Sequence, residues 1–540
     1  MKNKIISLAL LAITLFFLNN CSKDDLLDKY PKDGPNSSNF FIDASTARKA
    51  VTAIFPNWTN YYLYQDLGLT YLDVMSDDSY VRMNAAWRIE ALTWNFAASS
   101  ASTDQLYNNW WSTVYASIND ASFAVEYIPK SSDPKFTPEM QKKYIGVAKM
   151  MRGFAYIFLT NLWGDVPLHK NFIENESDSY VAKSPKSDVL NFAIEDLKYA
   201  VENIPDTWDG DDVGLPAKAA AAGLLARAYL LAKDFPNAET AAKNALDIAD
   251  GSGYGMMDDY VEMMSYESQP NKEFIFTLNF LPNSDYSNRM TVQRICRDAP
   301  YFIQDEFMGR GWGYAIPTRD LYDAFEPGDP RRKASMWAPG DFYCIHHGAT
   351  QVYKNNYTGV TTTFNDGDSI KYQAGWSASN LNTRKVVHSI LGLGSVEGDG
   401  YTIPLLRYAE LRLYYAEALI ENNKISEGMA QINVVRARPS VHMPPLAAAD
   451  QTDARAKLRH ERRVELNMEG IRVFDLLRWG IVKDIFGEGT ATNPSQKVLM
   501  IWGDNSTFKN TQCQFPRNNV LPIPQTEIDI NKMIEQNTGY

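Results

Sequence analysis

Along most of the chain, apolar residues recur at i, i+3, i+4 and i+7, and the segments with this period come in pairs. Ala219, Gly223, Ala226 and Leu230 form one stripe, and Ala238, Ala242, Ala245 and Ala249 form another. Asp234-Phe235-Pro236 turns the chain between them. The period predicts two helices between Pro216 and Ala249, with a seam of small residues that lets them approach closely. Met140 to Trp163 pairs in the same way with Val189 to Asn203. Pro404 to Glu421 pairs with Ser426 to Arg438, with Leu411, Tyr415 and Ala418 on one stripe. Ala454 to Trp479 adds helix, broken near Gly470, and Gly164-Asp165-Val166-Pro167 reads as a helix stop. Residues 251–403 differ. They are rich in Gly, Asn, Asp, Thr and aromatics, with short β-like runs such as Phe274-Ile275-Phe276-Thr277-Leu278. The pattern predicts a mainly α chain: a helix-pair scaffold with loop-rich, partly β insertions.

The pair at 216–249 resembles a tetratricopeptide unit, with its helix–turn–helix and Ala-rich seam. One pair cannot bury its face alone, so stacked pairs would form a continuous core. The N-terminus follows another pattern. Lys2 and Lys4 precede an apolar run from Ile5 to Leu18, which is too short for the ~20 residues a bilayer span needs and is sized like a secretory h-region. Leu18-Asn19-Asn20-Cys21, followed by Ser22-Lys23-Asp24-Asp25, resembles a bacterial lipobox, although Asn19 and Asn20 are bulkier than the usual small residues. Cys21 would then be the acylated first residue, anchored in lipid; the alternative is an ordinary signal peptide with an incidental cysteine. The expected organisation is a signal peptide (1–20), a lipidated tether (21–38), an N-terminal helical region (39–250), a loop-rich ligand-binding region (251–403) and a C-terminal helical region (404–540).

Composition narrows the chemistry. The formal net charge is −12 over 540 residues. That argues against a nucleic-acid partner, which needs clustered Lys and Arg. Cys21, Cys296, Cys344 and Cys513 make no disulfide framework and no metal motif. His346 and His347 are adjacent, so on a strand they would face opposite ways. No phosphate loop, dinucleotide fingerprint or zinc-protease motif stands in a convincing context. Asp77-Asp78 and Asp209-Asp211-Asp212 fit turns or solvated loops as readily as the spaced carboxylates of a glycosidase. Glu461, Arg462, Arg463, Glu465 and Glu469 fit pairing across helix turns, or buried guanidinium forks that tie the helix to neighbouring carbonyls. No catalysis, cofactor or metal is expected.

Four stretches and a closing segment carry a family resemblance. They are Met151-Arg152-Gly153-Phe154-Ala155-Tyr156 leading to Leu162-Trp163-Gly164-Asp165-Val166-Pro167; Lys218 to Leu230; Ile403 to Glu410 with Tyr415-Ala416-Glu417-Ala418; Glu461 to Leu466 leading to Phe474-Asp475-Leu476-Leu477-Arg478-Trp479-Gly480; and Leu521-Pro522-Ile523-Pro524. In this order, after a lipobox, they resemble the SusD/RagB family over nearly the whole chain. The resemblance implies a surface-exposed, lipid-anchored outer-membrane protein. Such a protein captures an oligosaccharide or polysaccharide and hands it, uncut, to a SusC-like TonB-dependent transporter. It also implies a glycan surface built from loops in the N-terminal third and the middle of the chain. Alternatives are oligopeptide capture of the RagB type and a surface glycoside hydrolase.

A sugar presents an apolar C–H face to a flat aromatic ring and hydroxyls to polar groups. Two regions mix such residues. Asp77 to Trp94 holds Asp78, Tyr80, Arg82 and Trp87; Trp87 is the first candidate for a stacking platform, and Arg82 could pair with Asp77 or Asp78 instead. Tyr301 to Trp376 holds Trp312, Tyr314, Trp337 and Trp376. Trp110 and Trp111 fall in a helical stretch and read as core, while Trp94 fits core or surface.

Overall fold

The computed structural model describes residues 43–540 apart from 66, 82–90, 92–93, 97–104, 266–267, 282–314, 345–350, 355–360, 365–368, 373, 375–376, 378, 386–399, 491–498, 501–507 and 510–511. Its principal helices are α1 (Ala44–Thr52), α2 (Leu67–Val74), α3 (Gln105–Tyr127), α4 (Pro138–Trp163), α5 (Lys186–Asn203), α6 (Lys218–Ala232), α7 (Phe235–Gly251), α8 (Tyr408–Glu421), α9 (Ile425–Arg436), α10 (Gln451–Leu466) and α11 (Arg472–Trp479). From α3 to α9 each helix packs on the next in chain order, and α10 packs on both α8 and α9. The expected helix-pair scaffold is therefore present.

Local chemistry accounts for the boundaries. Thr137 caps α4 by accepting from the Met140 N–H, Pro138 stands in the first turn, and Gly164 ends the helix at φ +75°, where a side chain would be strained. Between α6 and α7, Lys233 adopts a left-handed conformation and the Asp234 side chain caps the next helix. From Tyr144 to Trp163, α4 is buried on nearly all sides, as a central helix must be. Gly153 lets α5 approach it: a Cβ there would lie 2.9 Å from Leu197 Cγ and 3.2 Å from the Ala193 carbonyl oxygen.

One boundary departs from expectation. Ile403–Arg407 is a strand, not the first turn of α8. It runs antiparallel to Phe274–Leu278, with Ile403 opposite Leu278 and Arg407 opposite Phe274. All five of its residues are buried, and four consecutive apolar residues closed by a buried arginine have no period to separate strand from helix. The other described strands form two-stranded ladders. We number the strands that matter here β1 (Ser79–Tyr80), β2 (Phe274–Leu278), β3 (Ile316–Pro317), β4 (Met336–Trp337), β5 (Asn382–Thr383) and β6 (Ile403–Arg407).

The quoted sequence motifs meet one another in space. The Leu521 N–H donates to the Leu162 carbonyl at 2.7 Å, and Trp163 Nε1 donates to the Pro522 carbonyl at 2.9 Å. The closing segment thus seats on the end of α4. Arg227 of α6 donates to Tyr414 Oη at 2.6 Å and to the Leu405 carbonyl at 2.8 Å. These motifs specify how the helices join.

Candidate functional site

The two regions that sequence reading singles out are stitched together at their bases. β1 runs antiparallel to β3, with Ser79 opposite Pro317 and Tyr80 opposite Ile316. Thr318 locks the pair: its N–H donates to the Asp78 carbonyl at 2.9 Å and its Oγ1 to the Asp77 carbonyl at 2.8 Å. The Ser379 N–H donates to Tyr80 Oη at 2.9 Å. Beside them β4 pairs with β5, Trp337 opposite Asn382, and Thr383 Oγ1 donates to the Ala315 carbonyl at 2.6 Å. Residues 82–90 and 282–314 therefore join this frame at Val81 and Ala315, side by side. Loops carried on a rigid frame are where binding surfaces are usually built.

Charge fixes the frame to the C-terminal helices. Arg463 of α10 donates from Nε to Asp78 Oδ1 at 2.6 Å, and Arg472 of α11 donates to both oxygens of Asp77 at 2.8 and 3.0 Å. Burial pushes the Asp77 carboxyl up, but Arg463 and Arg472 outweigh it and hold it well below the usual carboxylate range. The Asp78 carboxyl moves the other way, raised by burial and by the charge of Asp77. The Gly470 N–H donates to Asp73 Oδ1 at 2.7 Å. Gly470 has φ +73°, and a Cβ there would lie 2.2 Å from Leu69 Cδ1, so this position takes only glycine in the packing seen.

Behind the clamp lies a larger buried network. Glu465 receives guanidinium hydrogen bonds from Arg438 at 2.9 Å, Arg331 at 3.1 Å and Arg407 at 3.3 Å. Glu461 joins Arg331 to Arg436, Glu273 joins Arg407 to Arg438, and Glu469 joins Arg407 to Lys385. With Asp329 paired to Arg331, five buried cations balance five buried carboxylates. Burial pushes the Glu465 carboxyl up, but Arg438, Arg407 and Arg331 more than offset this and hold it at about 2. Such a network need not stabilise more than an apolar core would, but removing one member leaves a buried charge unpaired. Its members come from 273 on β2's approach, 329–331, 385, 407 on β6, 436–438 and α10, so it decides which segments meet.

Three of the predicted site residues fall within the described structure. Asp78 is fully buried and paired with Arg463, Tyr80 is 3% exposed beneath Ser379, and Trp337 is 4% exposed. These three build the frame and do not present a face to solvent, which corrects the expectation that they line a ligand surface. Tyr80 on β1 and Trp337 on β4 lie inside the joint between the paired strands, and Asp78, just before β1, is drawn in by Arg463. Asp77-Asp78 lies in a buried bend between α2 and β1 and not in a solvated loop. Cys21, Arg82, Trp87, Trp312, Tyr314 and Trp376 lie outside the described residues. Trp94 is core, its Nε1 donating to the Met75 carbonyl at 2.9 Å, and Trp110 and Trp111 are buried as expected. Gly210–Asp212 is an exposed turn whose Asp211 pairs with Arg48.

Sequence reading missed Arg472, Arg331, Lys385, Arg436 and Arg438. The dense Arg/Glu run of α10 was the available signal, but its partners lie on other elements, so pairing along the helix was the wrong geometry.

Comparison with known proteins accords with this architecture. Residues 272–540 match the SusD family model, and residues 37–230 match a model described as starch-binding associating with outer membrane. A SusD-like protein of Bacteroides ovatus is 24% identical over 500 residues, covering 89% of this chain and 83% of its own. A SusD-like carbohydrate-binding protein of Bacteroides fragilis shares the fold at TM-score 0.73 and 22% identity, covering 92% of this chain and 100% of its own. Surface glycan-binding protein A of Bacteroides fluxus does so at TM-score 0.68 and 21% identity, with 92% and 99% covered.

Proposed function

Because the chain belongs to the SusD family, we propose that it captures an oligosaccharide or polysaccharide at the cell surface and delivers it, uncut, to a SusC-like TonB-dependent outer-membrane transporter. The observation that carries this reading is the β1–β3 joint, which sets the bases of two aromatic- and amide-rich segments side by side. Binding needs little else. Trp87 and Arg82 on one segment, Trp312 and Tyr314 on the other, and Trp376 further along the chain would supply flat faces and hydrogen-bonding groups for a polymer that spans them. The frame beneath is held by ion pairs and buried hydroxyls, so it costs little ordering entropy when a ligand arrives. The family relatives named for carbohydrate or surface-glycan binding support the ligand class.

Acylation at Cys21 would hold the body at the outer membrane, with residues 22–38 as tether. The carboxylates drawn to the frame are tied to guanidinium groups and buried, a poor setting for the exposed acid and base of a glycosidase.

The test is affinity electrophoresis of residues 22–540 through a panel of polysaccharides, alongside a peptide pool, with a reducing-end assay on any polymer that binds. Retardation by at least one polysaccharide without new reducing ends is expected. Selective peptide capture, or release of reducing ends, overturns the reading.

A further inference from the structure

A groove of about 670 Å³ lies between the first turns of α5 and the α6–α7 turn. It shares no residue with the frame described above, and its volume is in the range of built small-molecule sites. Its floor is apolar, made of Leu190, Ile194 and Leu231, all nearly inaccessible. Asn191 stands exposed on its rim.

Charge is what sets the groove apart. Lys186, Lys198 and Lys233 line it, in a chain of net charge −12. Its two acids are already engaged. Glu195 pairs with Lys198 at 2.8 Å, and Asp234 caps α7 by accepting from the Asn237 N–H and Nδ2. Outside the groove, Asp165 takes the Lys186 backbone N–H at 2.7 Å. Neither Lys186 nor Lys233 has a carboxylate within ion-pair distance of its ammonium group among the described residues.

The two positions differ in what explains them. Lys233 sits at the C-terminal end of α6, where a cation suits the helix dipole. Lys186 is the first residue of α5, where the dipole opposes it; it is half-buried, and it faces a second lysine. Burial and Lys233 together outweigh Asp165 and pull its ammonium down to about 8. Folding thus sets a cation where three effects disfavour it, and a bound anion would offset the helix dipole and the like charge of Lys233.

We propose that this groove is a second glycan subsite, which takes an anionic substituent of an acidic polysaccharide between Lys186 and Lys233. It rests on the capture role above, and it adds the class of sugar. A uronate carboxylate and a sulfate ester share the required chemistry.

The soluble chain, K186Q/K233Q and K186R/K233R are titrated calorimetrically with polygalacturonate, dextran sulfate, neutral dextran and polyglutamate. The polysaccharide panel above is run in parallel. At low salt the wild type binds polygalacturonate or dextran sulfate, and whichever it prefers identifies the substituent. K186Q/K233Q weakens that binding about tenfold, and K186R/K233R stays within about twofold. Binding of neutral polymers from the panel is unchanged in both variants, and neither melts below wild type. The proposal is overturned if K186Q/K233Q binds the acidic polymers as tightly as wild type, or if polyglutamate binds as tightly and with the same lysine dependence. Neutral capture without any acidic preference sinks this subsite alone. Failure to bind any glycan sinks the capture role with it.

Discussion

Arg463 Nε lies 2.6 Å from Asp78 Oδ1, across 385 residues of sequence. Asp78 is wholly buried and the arginine side chain is 16% exposed, so neither charge is screened by much water. This pair and its neighbour Arg472–Asp77 hold the strand from which residues 82–90 depart against the C-terminal helices. The position of the strand that precedes residues 82–90 is therefore coupled to the integrity of α10 and α11.

Arg463→Ala should lower stability by about 3–5 kcal/mol, because it strands the Asp78 carboxylate in the interior. Urea unfolding followed by circular dichroism measures this. Adding Asp78→Asn should recover part of the loss, since the stranded charge is then removed. Strict additivity of the two changes would show that the pair is not coupled.

Acid should loosen the buried network through Glu465. Its folded pKa of about 2 lies below the ordinary glutamate value of 4.5. The carboxylate therefore contributes its full stability above about pH 4.5, and that contribution fades as pH falls toward 2. The difference corresponds to an order of 3 kcal/mol. Glu465→Gln should lower stability at pH 7 and flatten the dependence between pH 4.5 and 2. Unfolding titrations at half-unit pH steps give both slopes, and equal slopes would remove Glu465 as a source of acid sensitivity.

Gly153→Val tests packing away from the frame. The new side chain would meet Leu197 and the Ala193 carbonyl, both closer than comfortable contact at Cβ alone. Overpacking of this kind costs about 1–3 kcal/mol. The melting temperature should fall while glycan retardation of the folded protein stays at the wild-type level. Loss of binding without loss of stability would contradict the separation of scaffold from site.

How far these elements can be read from sequence depends on the range of the forces that make them. The Ala stripes of α6 and α7 and the Gly164 stop are local, and each stands where periodicity and turn chemistry put it. Ile403–Arg407 was misread because its strand character comes from a partner more than 120 residues earlier, at Phe274–Leu278. The same applies to Glu461 and Glu465. Their charge was visible, but Arg331 lies 130 and 134 residues away, and nothing in a helix-turn spacing points to it. Asp78, Tyr80 and Trp337 have the side chains a sugar site uses, in the right neighbourhood. Two-residue strands turned Tyr80 and Trp337 inward, and so short a strand leaves no alternation to read, while Asp78 is drawn in by Arg463 from the far end of the chain.

Trp87 and Trp337 separate the two roles that an aromatic can play in this region. Trp337 is 4% exposed on β4, opposite Asn382. Trp337→Ala should therefore cost about 3–5 kcal/mol, as truncation of a buried aromatic does. Whatever affinity it loses should track the fraction unfolded. Trp87 lies on the segment that joins the frame at Val81, between Asn84 and Arg88. If it stacks on a sugar ring, Trp87→Ala removes contact area from the ligand and not from the core. Glycan retardation should fall by about 1–2 kcal/mol in affinity, roughly five- to thirtyfold, with an unchanged melting temperature. The discriminating measurement is the pair of coordinates, affinity and melting temperature, for each variant on the same polymer. Trp87→Ala with wild-type affinity and native helicity would remove that residue from the platform and leave Trp312, Tyr314 and Trp376 to carry the stacking.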